Sequence, residues 1–422
     1  MRILIVNTSE RTGGAAVAAS RLMEALCNYG VKAKMLVRDK ETQSLTVSAL
    51  PGQRRSQCHF LWERFVIWLH LHFRRQHLFD IDIANAGTDI TRLPEFQEAD
   101  VIHLHWVNQG MLSLKNIRKI LESGKPVVWT MHDIWPATAI CHLTLDCRHF
   151  ENQCQQCRLL PGGGSVNDLA AQVWQRKQRM LSGRHIHFVA CSQWLAEEAR
   201  HSALLQGQIV TSIPNPIDTH FYRPHDKQEA RQLLGLPAEG PVVLFASQRV
   251  TNQYKGMNYL IAACQQLAAQ HPKLRATMTV AILGGHAEEI VGQMPFRTHA
   301  LGYVNDEQRI VAVYNAADVF VLPSLSENLP NTIMEAMACG VPSVAFRVGG
   351  IPEEIDHRQN GYVANYQDSD DLAQGIWWTL FEADQESLRK ACLQKVSHCY
   401  SQQSVANRYF ELYEGLCSHH HL

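Results

Sequence analysis

Two cations and two carboxylates in the second half of the chain are spaced for chemistry on a charged, hydroxyl-rich ligand. Arg249 closes the run Ala246-Ser247-Gln248-Arg249, and Lys255 stands just before Gly256. Glu327 and Glu335 bracket Asn328-Leu329-Pro330-Asn331-Thr332-Ile333-Met334. A basic pair after one strand and an acidic pair around a later helix start suit a nucleoside diphosphate-sugar. The cations neutralise the diphosphate, and the carboxylates accept hydrogen bonds from sugar and ribose hydroxyls. Arg249 follows a strand-like run, in the loop at its carboxyl end, where open α/β sheets bind ligands. Lys255 lies near the next helix start, where backbone N–H groups favour anions. Either cation alone reads as an ordinary surface residue, and Glu335 alone as half of a surface salt bridge. The set carries the inference.

The elements that hold these residues follow an alternating rhythm. Strand-like apolar runs and helix-length segments succeed one another, which argues for an α/β fold with mostly parallel sheets. Strands are expected over 2–8, 33–37, 100–105, 126–132 and 185–192, with a helix over 15–29 after the Gly13-Gly14 loop. Pro214 and Pro216 break any helix near 208–218, so the domain boundary is placed there. A second series runs over 241–247, 277–284, 318–323 and 342–346. The expectation is two Rossmann-like domains facing each other across a cleft. They comprise residues 1–210 and 211–400, with a C-terminal helix in 401–422 packing back on the first domain. Pro330 suits the first turn of a helix, and Gly340 and Pro342 end it.

Bulk composition narrows the classes. The chain has 422 residues, 46% of them hydrophobic and 19% charged, so a sizeable core is available. A net charge of −1 argues against general nucleic-acid binding. The N-terminal apolar run is too short for a signal peptide, and no apolar run is long enough to span a membrane. The expected location is cytoplasmic.

Two segments stand outside the rhythm. Cys141, Cys147, Cys154 and Cys157 are spaced C-x5-C-x6-C-x2-C. A Cys-x-x-Cys with two nearby cysteines fits a structural four-thiolate zinc site, with His142 as an alternative ligand. The other readings are independent thiols, or two disulfides in an oxidising compartment. Residues 54–79 mix Phe60, Trp62, Phe65, Trp68, Phe73 and Phe79 with five arginines. This composition suits a helix at a membrane interface. It equally suits a helix covering the core, with arginine stems over apolar surface.

Taken together, Arg-x5-Lys-Gly, Ser-x-x-Glu-x7-Glu-Ala and Gly-x-Pro resemble the retaining glycosyltransferase family 4, of the GT-B fold. The resemblance runs from Gly13-Gly14 to Gly361. It implies sugar transfer from a nucleoside diphosphate donor, with retained anomeric configuration and no cofactor required for catalysis. On the catalytic side it implies that Arg249 and Lys255 hold the diphosphate and Glu327 touches the donor sugar. His132, in Trp129-Thr130-Met131-His132-Asp133, matches the active-site histidine that positions donor sugar and acceptor. For nucleotide-sugar binding it implies Glu335 on the ribose, and Tyr303 and Val304 at the base. Asn328, Leu329, Asn331 and Thr332 fall in the donor loop, and Gly13 and Gly14 face the phosphates. Apart from the resemblance, His105 and Asn108, at the end of the strand over 100–105, are read as lining the cleft on the acceptor side, against the core or surface role more common for these residue types. Many members carry Gly-Phe-Gly after the first glutamate. Here Asn328-Leu329-Pro330 stands instead, and Pro330 has no N–H to offer. The Asn-x-Pro form is similar to exopolysaccharide transferases of the colanic-acid type. That implies bacterial surface polysaccharide synthesis. The aromatic and basic composition of residues 54–79, separately, leads to the expectation of a lipid-linked glycan acceptor and peripheral contact with the inner face of the cytoplasmic membrane. The rival readings are a nucleotide-sugar epimerase of the same fold and a non-catalytic scaffold of an assembly complex.

Overall fold

The computed structural model describes residues 1–419. The chain divides into two compact units, Met1–Pro216 together with the chain from Val405, and Ile217–Ser404.

The first unit is built on a seven-stranded sheet. Its strands are β1 Arg2–Ser9, β2 Lys32–Asp39, β3 Val47–Ala49, β4 Val101–Leu104, β5 Val127–Met131, β6 His187–Ala190 and β7 Ile209–Ser212. They lie in the order β3-β2-β1-β4-β5-β6-β7, and the ladders are parallel. Alternate residues of β1 face opposite sides, as the two-residue period of a strand requires. Leu4 and Val6 join Ile102, Leu104 and Trp129 in one core. Ile3 and Ile5 join Val128 and Val189 in the other. The helix Gln402–His419 covers this second face with Val405, Ala406, Tyr409 and Tyr413. Its tyrosines also bond into the sheet: Tyr413 Oη lies 2.7 Å from His103 Nδ1, and Tyr409 Oη 2.9 Å from Thr130 Oγ1.

Strand β7 moves the boundary expected at 210. Val210 and its neighbours pair with β6 and complete the first sheet, so the first unit runs to Pro216. The two prolines follow that strand instead of marking the whole stretch as linker.

The second unit holds six parallel strands: β8 Val242–Arg249, β9 Thr279–Gly285, β10 Arg297–Gly302, β11 Val319–Leu322, β12 Ser343–Phe346 and β13 Gly361–Ala364. Their order is β10-β9-β8-β11-β12-β13. Both sheets reverse the direction of strand addition at one place, between β1 and β4 in the first and between β8 and β11 in the second. Such switch points leave a crevice at the carboxyl ends of the strands, where α/β proteins bind ligands.

Residues 54–79 do not form one helix. The helix covers Gln53–His70, after which His72, Phe73 and His77 take positive φ and the chain turns. Among the described residues no helix is long and apolar enough to cross a membrane.

Candidate active site

In the second unit the four charged residues come from the switch point and its neighbour. Arg249 is the last residue of β8, one step earlier than the loop position expected from the sequence. Its exposed side chain is steadied by a bond from Nε to Thr251 Oγ1, 3.0 Å. The chain then makes a single turn, Gln253–Lys255, and reaches Gly256 before the helix Met257–Gln270. Gly256 has φ +71°, and a Cβ there would stand 1.8 Å from the Pro323 carbonyl oxygen. Glycine therefore lets the turn lie directly on the end of β11. Leu325 N–H donates to the Tyr254 carbonyl (2.8 Å) across the same contact.

That close approach sets Lys255 Nζ 2.5 Å from Glu327 Oε1. Lys255 and Glu327, expected to work on separate parts of a ligand, are an ion pair here, with side chains 31% and 11% exposed. The Glu327 loop is backed from the other side by Gly349. A Cβ on Gly349 would meet the Glu327 carbonyl at 1.7 Å, and Gly350 N–H donates to the Asn328 carbonyl (2.8 Å). The Gly349-Gly350 pair after β12 was not singled out from sequence, although adjacent glycines following a strand were the available signal.

Glu335 lies in the helix Asn331–Ala338. Pro330 is its N-cap, one position before the first turn where the sequence placed it, and no side-chain oxygen caps the helix. Glu335 is buried, and Tyr314 Oη donates to its Oε2 at 2.7 Å. Burial first, and then the neighbouring carboxylate, hold the Tyr314 hydroxyl well above its usual pKa. The tyrosine is thus a fixed donor that orients the glutamate, and no spacing pattern pointed to it. Leu329 is buried, Asn328, Asn331 and Thr332 are half-buried, and Tyr303 is exposed beyond the end of β10, with Val304 half-buried beside it.

In the first unit the switch point carries Gly13-Gly14, at the start of the helix Gly14–Asn28, and the loop after β4. That loop is bolted to β1: Asn7 Oδ1 accepts from Trp106 N–H (2.9 Å), and Thr8 Oγ1 donates to the Trp106 and Asn108 carbonyls (2.9 and 3.0 Å). His105 and Asn108 are buried, at 3% and 2% exposure. Both side chains lie beneath the loop surface. His105 reaches the partly exposed His132 through a 2.9 Å bond between Nδ1 and Nε2. His132 Nδ1 lies 3.4 Å from Cys191 Sγ. Burial pushes His132 down to about 4 and His103 to about 3, and holds His105 well below the usual histidine value. Neutral imidazoles fit a positioning relay better than a standing cation.

Beside it runs a ladder of charges that is partly exposed at Asp133 and His142 and buried at Asp82 and Arg64. Asp133 accepts from Trp106 Nε1 (3.1 Å) and the Trp135 N–H (2.8 Å), and pairs with His142 Nδ1 at 2.8 Å. His142 Nε2 pairs with Asp82 at 2.7 Å, and Asp82 pairs with Arg64. Burial alone would lower His142, but Asp133 and Asp82 outweigh it and raise the ring to about 10. This use of His142 removes it as a metal ligand. The four cysteines of the insertion are free thiols. Among the described residues no three His, Cys, Asp or Glu side chains are grouped to hold a metal. The zinc site expected at Cys141, Cys147, Cys154 and Cys157 is therefore not preformed. Cys154 is instead packed into the core, and the Cys157 backbone is tied to Asp168 by a 2.8 Å bond.

Two parallel-sheet units, each with polar side chains gathered at its switch point, define the GT-B class. Residues 12–221 match the family model for Glycosyltransferase Family 4, and residues 240–381 match that for Glycosyl transferases group 1. The chain belongs to these glycosyltransferase families. D-inositol 3-phosphate glycosyltransferase 2 of Catenulispora acidiphila is 32% identical over 182 residues, 40% of this chain and 42% of that one. The D-inositol 3-phosphate glycosyltransferase of Acidothermus cellulolyticus is 33% identical over 168 residues, 37% of each chain. The match thus spans less than half of either relative. Sucrose-phosphate synthase of Thermosynechococcus elongatus superposes with a TM-score of 0.65 at 19% identity, over 99% of both chains. HepE of Anabaena, solved with UDP-glucose, superposes with a TM-score of 0.64 at 18% identity, over 98% of this chain and 100% of that one. At such identities the likeness shows the fold.

Proposed function

We propose that the protein is a retaining glycosyltransferase that moves a sugar from a nucleoside diphosphate-sugar to a glycan acceptor of bacterial surface polysaccharide synthesis. The observation that carries this is the Lys255–Glu327 pair at 2.5 Å, pinned between Gly256 and Gly349 on the turn that follows Arg249 at the end of β8. An arriving diphosphate takes over Lys255 and engages Arg249. Glu327 is then released to accept from a donor-sugar hydroxyl. Glu335, oriented by Tyr314, takes the ribose hydroxyls, and Tyr303 and Val304 flank the base. Negative charge that grows on the departing diphosphate is met by two fixed cations, the electrostatic stabilisation that dominates such transfers. In the first unit His132, bonded to His105, is the candidate for orienting the acceptor. The HepE complexes with UDP and UDP-glucose support a uridine nucleotide as the first donor to try.

A second acceptor reading comes from the inositol phosphate relatives: a soluble phosphorylated polyol. One assay separates the readings. Purified protein is given UDP-sugars alone, with a polyol phosphate, or with lipid-linked glycans, and nucleotide release and donor identity are followed. Acceptor-dependent release of UDP supports the transferase. Interconversion of the donor sugar without acceptor makes the protein an epimerase, and inertness toward every donor leaves a scaffold.

From the cysteine spacing alone we also propose that the loop takes up structural zinc. Elemental analysis before and after chelation tests it. Equimolar zinc with a melting temperature that falls on chelation supports the site, and metal-free protein with unchanged melting ends it.

A further inference from the structure

The helix Gln53–His70 is packed inside out. Its inner stripe, Ser56, Glu63, Arg64 and Ile67, recurs at helical spacing and contains the charged pair. Glu63 Oε1 accepts from the Ile83 and Ala84 N–H groups at 2.9 and 2.7 Å, and Arg64 donates to the Leu78 and Ile81 carbonyls. The outer stripe is apolar: Leu61, Trp62, Phe65 and Leu69 are 63%, 55%, 46% and 40% exposed, and Phe73 beyond the helix 63%. The rings form a strip, Trp62 to Phe65 at 6.0 Å, Phe65 to Trp68 at 6.3 Å and Trp68 to Phe73 at 4.8 Å. Burying the charges while exposing the rings is a costly arrangement for a free surface.

We propose that this face docks on an anionic lipid surface. Charge complementarity selects that occupant. From Gln53 to Phe79 the sequence has a single acidic residue, Glu63, and it is buried. The exposed charges in the segment are Arg54, Arg55, Arg74 and Arg75. Exposed Trp, Phe and Leu framed by arginines fit the headgroup boundary of a bilayer, with the rings entering and the cations on lipid phosphates. The buried anchors then have a purpose: they hold a helix whose apolar face has left the core.

The helix is also seated against the functional loop. A Cβ on Gly110 would lie 2.5 Å from the Phe60 backbone nitrogen, so the helix backbone rests on the loop that carries His105 and Asn108. Arg38 clamps the contact, bonding to the Gln109 carbonyl with its guanidinium 5.5 Å from the Phe60 ring centroid. Docking would thereby bring the His132 side of the unit to the membrane. The docking itself stands on the surface described. Its use for a lipid-carried acceptor rests on the transferase reading.

The test is co-sedimentation of the whole purified protein with vesicles of phosphatidylcholine, or of phosphatidylcholine mixed with phosphatidylglycerol. Binding is expected to the anionic vesicles and to fall with added salt. Trp62→Ser with Phe65→Ser, and separately Arg74→Glu with Arg75→Glu, should each weaken it about tenfold or more. Circular dichroism and nucleotide-sugar binding should stay unchanged, because all four side chains are exposed. Leu233→Ser, at an exposed leucine of the second unit, should bind as wild type. Wild-type protein that stays in the supernatant with both vesicle types at low salt overturns the proposal. So do double variants that sediment like wild type. Self-association that Trp62→Ser abolishes, with no vesicle binding, makes the face a contact for a second copy instead. Donor binding is read separately, so failure of the transferase reading leaves the lipid result standing.

Discussion

Lys255 and Glu327 form a close ion pair in the second unit. Each neutralises the other at 2.5 Å, so neither charge is left partly buried without a counter-ion. In the proposed reaction the diphosphate displaces the carboxylate, which then accepts from sugar hydroxyls. Lys255→Ala should lower turnover by about 10²–10³ with the fold intact, the cost of removing one preorganised charge-stabilising donor. Turnover near wild type, in protein with an unchanged dichroism spectrum, would sink the role. Glu335→Ala should weaken donor binding about tenfold and cost roughly 1–3 kcal/mol of stability, because it leaves the Tyr314 hydroxyl buried without its acceptor. Calorimetric titration and urea unfolding read the two effects. Tyr314→Phe keeps the carboxylate and separates them. The residue types were legible in the sequence, and so was their order along the chain. Their pairing was not: Lys255 meets Glu327, and Tyr314 meets Glu335, across a three-dimensional contact that spacing does not encode.

At the level of elements, the strand–helix rhythm was readable because buried parallel strands are continuous apolar runs, such as Ile3-Leu4-Ile5-Val6. Short strands with polar neighbours were harder. Ile209–Ser212 lies just before two prolines, and the breakers masked the strand. The helix Gln53–His70 was ambiguous for a different reason. Its composition allowed either face to point inward, and the choice was made by Asp82 and by the N–H groups of Ile83 and Ala84, which lie outside it in sequence. Gly256→Ala tests how one element seats another. The new Cβ would collide with the Pro323 carbonyl at a positive φ, so the turn must withdraw from β11. A loss of about 1–3 kcal/mol in unfolding free energy is expected, together with loss of donor binding, because Lys255 no longer reaches Glu327. Wild-type stability and affinity in that variant would mean that the turn is not held there.

For the whole molecule, the histidines of the first unit set opposite limits on stability. His132 and His103, pushed down to about 4 and 3, refuse protons that the unfolded chain accepts below about 6.5. Stability should therefore fall as pH drops from about 6.5 toward 4. His142, raised to about 10, works the other way. Its contribution is complete below about 6.5 and is lost as pH rises toward 10. Melting temperature should peak near neutrality, and His142→Ala should flatten the alkaline limb. A melting temperature unchanged from neutrality down to pH 5, the range of about two units in which the unfolded histidines titrate, would contradict the buried neutral imidazoles. We propose that the second unit grips a nucleoside diphosphate-sugar with Arg249 and Lys255. The most direct test is calorimetric titration of UDP, UDP-glucose and other nucleoside diphosphate-sugars into wild-type protein and into Arg249→Ala with Lys255→Ala. Saturable binding to wild type, weakened at least about tenfold in a double variant that melts normally, is the expected result. Equal binding by the double variant, or no binding of any such nucleotide by wild type, would contradict it.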